Sequence, residues 1–391
     1  MAEDVVQDSL VEALKQWTYK GIPDNPTGWL FRVAKNKALN IINHEKYKSQ
    51  YATDVVHPLQ SEWTADPVAD HLFSEQEILD DQLRMMFTCC HPSVSPDSQV
   101  ALILKTLCGF SIPEIAKAFF TNDENINKRL VRARQKIRES KMPFEVPTGR
   151  VLKERLVTIL EAIYLLFNEG YSASAGVKVI RYEVSEEAIR LTQILASHPT
   201  THDKLDIYAL LALMQLNASR FKARMDADGN ILTLEQQDRS LWDLSLMEQG
   251  FANLKISLSG NEISLYHILA SISSYHCSAP NYQLTDWKSI LFLYDRLLEI
   301  DNSPVVLLNR AVAISKANGT EDALTEMEKL KTVPELKKYH LFYSIQAQFY
   351  IDMNLFKEAI PILETAIELA PLASEKELLQ KRLAYCAKII S

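Results

Sequence analysis

Apolar residues recur along this chain at three- and four-residue spacing almost without interruption, a pattern that predicts helices throughout. Residues 3–19 form a first helix, with Val5, Val6, Leu10, Ala13, Leu14 and Trp17 on its apolar side. Pro23, Asp24, Asn25 and Pro26 then break the chain, and Thr27 is placed to cap a second helix running to about residue 48. Residues 49–70 lose the periodicity, hold Pro58 and Pro67, and read as a linker. Helices resume near Ser74, pause at Pro92 and Pro96, and include an apolar segment over 98–107 that ends at Gly109. From residue 150 onward helices follow one another, punctuated by Pro199, Gly229, Gly260, Pro280, Pro304, Gly319, Pro334 and Pro371. The last hundred residues look like stacked helical hairpins. Residues 356–371 carry the small-residue spacing and terminal proline of a tetratricopeptide second helix, and a poorer copy lies around 304–330. The fold class expected is all-α.

The sharpest local pattern lies between Ser111 and Arg138. Ile112, Ile115, Ala116 and Phe119 share one face of a short helix, Thr121 and Asn122 make a turn, and Ile126, Leu130, Ala133 and Ile137 stripe a second helix. Asn125, Lys128, Arg129, Arg132 and Lys136 fall on another face of that second helix, flanked by Arg134 and Arg138. A short helix, a tight turn and a longer basic helix make a helix-turn-helix, whose second helix enters the major groove of DNA. Arginine and lysine donate to guanine and asparagine pairs with adenine, so the first half of this helix suits base reading. The later cations suit phosphates, which add affinity and salt dependence but little sequence information.

Charge sharpens the picture. The 391 residues carry a net charge of −8, which argues against a surface that coats nucleic acid everywhere. Yet Arg32, Lys35, Lys37, Lys46 and Lys48 against Glu45 give +4, and Lys128 to Lys141 gives +6. Between these patches Asp54, Glu62, Asp66, Asp70, Glu75, Glu77, Asp80 and Asp81 form an acidic strap. Two basic patches joined in this way suit a polyanion held at two separated places.

Several features exclude other classes. No run reaches the roughly 18 apolar residues of a membrane span, and the acidic start, Met1 to Asp4, is unlike a signal peptide. Five cysteines, mostly in apolar stretches, fit reduced thiols, so the expected location is the cytoplasm. Cys89-Cys90-His91 lacks a second ligand pair at zinc spacing and reads as a buried helix end before Pro92. Asn168-Glu169-Gly170-Tyr171 and Gln236-Gln237-Asp238-Arg239 could line a pocket or supply a buried ion pair, and the structural role is preferred. No phosphate loop, nucleophile elbow or paired-carboxylate signature is present, so an enzyme is not expected and neither metal nor cofactor is assigned.

Taken together, two stretches resemble a known family. Residues 2–10, Ala2-Glu3-Asp4-Val5-Val6-Gln7-Asp8-Ser9-Leu10, with 26–38 (Pro-Thr-Gly-Trp-Leu-Phe-Arg-Val-Ala-Lys-Asn-Lys-Ala), resemble region two of extracytoplasmic-function sigma factors. Residues 111–116 and 128–134 resemble their region four. The rest resembles a subgroup with a long C-terminal extension of tetratricopeptide-like helices, through 87–92, 163–171, 235–242, 285–287 and 308–312. The resemblance implies an N-terminally incomplete region two over 1–53, an acidic linker over 54–80, and region four over 81–142. A helical extension over 150–285 and hairpins over 286–391 complete it. It also implies that Asp4, Gln7 and Asp8 dock on core RNA polymerase. Arg32, Lys35, Asn36, Lys37 and Asn40 would hold the melted −10 element; Trp29 and Phe31 beside them suit base stacking, but a core role is preferred for them. Asn125, Asn127, Lys128, Arg129, Arg132 and Lys136 would read the −35 element of promoter DNA. The extension would be regulatory and take a protein or small-molecule signal. Two other readings stay open on the residues alone: a stand-alone helix-turn-helix regulator with a helical sensor, and a helical scaffold or ligand-binding protein.

Overall fold

The computed structural model describes residues 2–20, 30, 33–34, 80–140, 149–172, 180–226, 229 and 231–390. The chain divides into two compact units, Met1–Leu72 and Phe73–Ser391. In the first unit one long helix is described, α1 (Ala2–Lys20). Its buried side includes Val5 and Ala13 of the expected set, with Trp17 partly buried, but not Val6, Leu10 or Leu14. Val5, Ser9 and Ala13, at i, i+4 and i+8, are the buried positions, and the Ser9 hydroxyl is satisfied by donating to the Val5 carbonyl at 2.6 Å. Val6, Leu10 and Leu14 are exposed. The helix expected over 28–48 and the linker over 49–70 lie outside the described residues, apart from 30, 33 and 34.

The second unit is helical, and a single antiparallel bridge between Met225 and Ile231 is the only strand-like pairing among its described residues. It begins with four short helices: α2 (Asp81–Cys89), α3 (Pro96–Thr106), α4 (Ile112–Ala118) and α5 (Asp123–Ser140). Asp80 caps α2 by accepting from the Leu83 amide at 2.9 Å. Pro96 opens α3, where its missing N–H costs nothing. Gly109, at φ 73°, supplies the left-handed residue that ends the α3 turn. Cys89 and Cys90 form the buried end of α2, as expected, and burial pushes the Cys89 thiol up to about 11.

These four helices do not close a core alone. Leu83, Met86, Phe87, Ile103, Leu104, Ile115 and Ile126 share one continuous buried cluster with Leu152, Leu156, Ile159 and Ile163 of α6 (Gly149–Tyr171). Polar ties reinforce the joint. Arg155 donates to the Phe87 carbonyl at 2.9 Å, and Arg190 of α7 (Tyr182–Ser197) pairs with Asp80 at 2.9 Å.

Beyond it, α8 (Leu205–Ala218) is apolar around most of its circumference and is accordingly enclosed, by α7, α9 (Leu244–Ser257) and α10 (Leu265–Ser278). Gly250 permits the tight α8–α9 approach, because a Cβ there would meet Leu216 at 2.7 Å. The remaining helices are α11 (Trp287–Leu297), α12 (Pro304–Ala317), α13 (Thr320–Leu330), α14 (His340–Asp352), α15 (Phe356–Leu369) and α16 (Ala373–Ile390). Each packs on its neighbour in sequence as antiparallel hairpins. Leu308, Ala311, Met327 and Phe342 fill one layer, and Ala347, Ala359, Leu363 and Cys386 the next.

Candidate nucleic-acid interface

The site is built on α4, α5 and the turn between them. Ser111 and Glu114 close a capping box at the start of α4: the Ser111 amide donates to Glu114 Oε2, and the Glu114 amide to Ser111 Oγ at 3.4 Å. Phe119 ends the helix, and Phe120 takes a left-handed conformation at φ 48°, unusual for a bulky residue. Its ring packs edge-on against Tyr339, with centroids 6.1 Å apart, so a contact from the far end of the second unit supports the strained turn. Asn122 then caps α5, its Oδ1 accepting from the Asn125 amide at 2.9 Å.

Ile126, Leu130 and Ala133 are buried and Ile137 is partly so, as the stripe predicts. The opposite side carries the cations. Asn125, Asn127, Lys128, Arg132 and Lys136 are exposed, and so are Arg134 and Arg138. Two of these are engaged locally: Asn125 donates to Thr121 Oγ1 at 3.0 Å, and Lys128 pairs with Glu124 at 2.6 Å. Arg129 differs from the rest. Its side chain is one-third exposed, pairs with Asp97 of α3 at 3.1 Å, and lies over the Phe119 ring at 5.3 Å. It therefore ties the recognition helix to its neighbours, and it reaches outward only by releasing Asp97.

Other elements brace α4 without crossing the outer face of α5. Arg181 lies 3.6 Å from Glu114 and 3.8 Å from Glu169. Among the residues expected to hold polymerase, Gln7 and Asp8 are exposed on α1, and Asp4 lies on the same helix. Arg32, Lys35, Asn36, Lys37 and Asn40 lie outside the described residues.

The ion pair expected from Glu169, Asp238 and Arg239 is not formed. Glu169 faces Arg181, Asp238 is exposed and caps the short turn Arg239–Leu241, and Arg239 donates to the carbonyls of His276 and Ala279. Arg239 neutralises a helix end instead of a carboxylate. Among the described residues, no group of three or more His, Cys, Asp or Glu is placed to hold a metal ion, and no helix is long and apolar enough to cross a membrane.

A short capped helix, a four-residue turn and a basic helix with a free outer face define a helix-turn-helix DNA-binding protein. Comparison with known proteins narrows the class. Residues 1–46 match Sigma-70 region 2, residues 84–137 match Sigma-70, region 4, and residues 155–258 match a family of unknown function, DUF6596. An uncharacterized protein of Rhizobium meliloti (strain 1021) is 32% identical over 388 residues, covering 99% of this chain and 90% of its own length. No solved structure matches. The chain belongs with the sigma-70 type of sigma factor, with regions 2 and 4 in order and the domain of unknown function after them. Its role is accordingly in promoter recognition, which implies promoter DNA and the polymerase core as partners.

Proposed function

We propose that the chain binds core RNA polymerase through α1 and directs it to promoters by reading a −35 element with α5 and holding a melted −10 element with region 2. The observation that supports the reading most is the outer face of α5. Asn127, Lys128, Arg132 and Lys136 remain exposed on it, while Ile126, Leu130 and Ala133 on its other side are buried in the core. Asn125, Asn127, Lys128 and Arg132 take the bases and Lys136 the phosphates, while Arg129 positions the helix through Asp97 and Phe119. On α1 the exposed stripe of Val6, Leu10 and Leu14 beside Gln7 and Asp8 suits an amphipathic partner surface, with the Asp8 carboxylate toward basic groups and Asp4 assigned to the same role through the family pattern. Arg32, Lys35, Asn36, Lys37 and Asn40 are assigned to the displaced strand through the family pattern.

In this reading the chain makes and breaks no bond itself and works in the cytoplasm beside the polymerase. The hairpins from α12 to α16 act as a tetratricopeptide-like regulatory extension, a surface for a protein or small-molecule signal. Run-off transcription with purified core polymerase tests the proposal: adding this chain alone should yield a promoter-specific transcript. Duplex binding without a transcript would instead make it a stand-alone regulator.

A further inference from the structure

The domain of unknown function holds a feature that promoter recognition does not use. Arg220 and Arg224 are each 8% exposed, and Arg239 lies close enough to Arg220 for their charges to oppose one another. Burying a guanidinium is costly unless an opposite charge accompanies it. Among the described residues no carboxylate pairs with any of the three; the groups acting on them are Tyr171, Tyr182, Cys277 and one another.

Two of the three have a structural explanation. Arg224 donates to the Tyr171 carbonyl at the end of α6, and its guanidinium carbon sits 3.7 Å from the centre of the Tyr171 ring. Arg239 caps α10 through the carbonyls of His276 at 2.8 Å and Ala279 at 2.7 Å, and stacks on Trp242 at 4.4 Å. Arg220 is not explained this way. It donates only to neutral acceptors, the Tyr171 hydroxyl at 3.1 Å and Asn217 Oδ1.

Donors are also left over. Arg220 Nε, Arg239 Nη2 and the Trp242 indole N–H are sealed from solvent with no partner, and Trp242 is 4% exposed. Nearby His276 is pushed down to about 3, by burial first and then by Arg220 and Arg239, so it stays neutral and adds no further positive charge. Native interiors rarely leave buried donors orphaned, and here two belong to guanidinium groups and one to an indole, although Gln237 Oε1 and His276 Nδ1 are unpartnered as well.

We propose that Arg220, Arg239 and Trp242 form a binding site for a small oxyanion, a phosphate or carboxylate group, inside the domain of unknown function. Planar guanidinium forks and an indole N–H match the oxygens of such a group. The Tyr171 and Trp242 rings already lie against Arg224 and Arg239, which favours a compact ligand or the anionic end of a larger one. Tyr171 and Arg239 come from the two polar stretches that the sequence set apart, 168–171 and 236–239.

The test uses the full chain, exchanged into chloride and titrated with inorganic phosphate or with acetate at constant ionic strength. The thermal midpoint and the heat of binding are recorded. Phosphate, acetate or both should raise the midpoint by a few degrees above matched chloride, and the more effective anion identifies the group recognised. Arg220→Gln should abolish the shift, and Trp242→Phe, which removes one N–H and keeps the ring, should weaken binding about tenfold, as expected for one lost charge-assisted hydrogen bond. If neither anion acts beyond matched chloride, or the shift survives unchanged in Arg220→Gln, the site does not exist. Should Arg220→Gln fail to fold, unchanged binding in Trp242→Phe overturns the proposal.

Discussion

Two groups of arginines in this protein live in opposite surroundings. Arg132, Arg134 and Arg138 stand in water on the recognition helix, while Arg220 and Arg224 are enclosed by aromatic rings and helix ends. Water solvates the first group at little cost, so its charge is available to a polyanion that approaches from outside. The second group has surrendered that solvation and is compensated by carbonyls, rings and, on our reading, a small anion. The same side chain thus serves recognition where it is exposed and holds, or selects, a compact structure where it is buried.

The largest effect that sharpens this contrast is on stability. Arg224→Ala removes a stacked cation and leaves the end of α6 uncapped, and should lower unfolding stability by about 2–4 kcal/mol in urea denaturation. Arg132→Ala should change stability by no more than about 0.5 kcal/mol. Equal losses would erase the distinction.

Next comes binding. Within the polymerase complex, Arg132→Ala should cost about 1–3 kcal/mol and relax discrimination at one −35 position, whereas Lys136→Ala should weaken all sequences alike and reduce the salt slope by about one. Electrophoretic or anisotropy titrations on matched and mutated duplexes separate these outcomes.

A smaller effect follows from His276. Its folded pKa, near 3, lies below the unfolded value near 6.5, so the unfolded chain takes up the proton first as pH falls. Stability should therefore fall by about 1 kcal/mol from this group between pH 7 and 5.5. His276→Gln should remove that part of the pH dependence; identical slopes in both proteins would place His276 outside the buried cluster.

The smallest concerns Arg129. Its pair with Asp97 is largely solvent-exposed, and a double-mutant cycle should give a coupling of less than about 1 kcal/mol. Asp97→Ala should leave the fold intact and weaken promoter binding slightly by loosening the hold of Arg129 on the helix, and unchanged or tighter binding would mean that the pair does not position it.

How much of this was legible beforehand follows the same divide. The stripe of Ile126, Leu130 and Ala133 was visible because a helix buries every third or fourth residue, and the exposed cations follow from it. On α1 the adjacent apolar pairs Val5-Val6 and Ala13-Leu14 are consistent with either of two faces, so periodicity finds Val5 and Ala13 but adds Val6 and Leu14, and it gives no sign that Ser9 is buried. The bracing of Phe120 by Tyr339 joins residues far apart in sequence, and no local pattern announces it. The buried arginines were hidden for the same reason. Arg220 and Arg224 sit in a polar run, Asn217-Ala218-Ser219-Arg220-Phe221-Lys222-Ala223-Arg224, that reads as a solvated helix end. Only the packing of α6, α8 and α10 brings Tyr171, Arg220 and Arg239 together. The polar stretches around Tyr171 and Arg239 are the one available signal, and on sequence they suit a pocket lining or a buried ion pair alike, with the structural role preferred.

The central claim is that the outer face of α5 meets duplex DNA upstream of the melted region. Photo-crosslinking in the complete polymerase complex tests it directly, with a photoreactive residue placed at position 132 and, as a control, at the exposed position 357 on α15. The account predicts promoter-dependent crosslinks from position 132 to −35 bases and none from position 357. No DNA crosslink from position 132, in a complex that still initiates at the promoter, would contradict it.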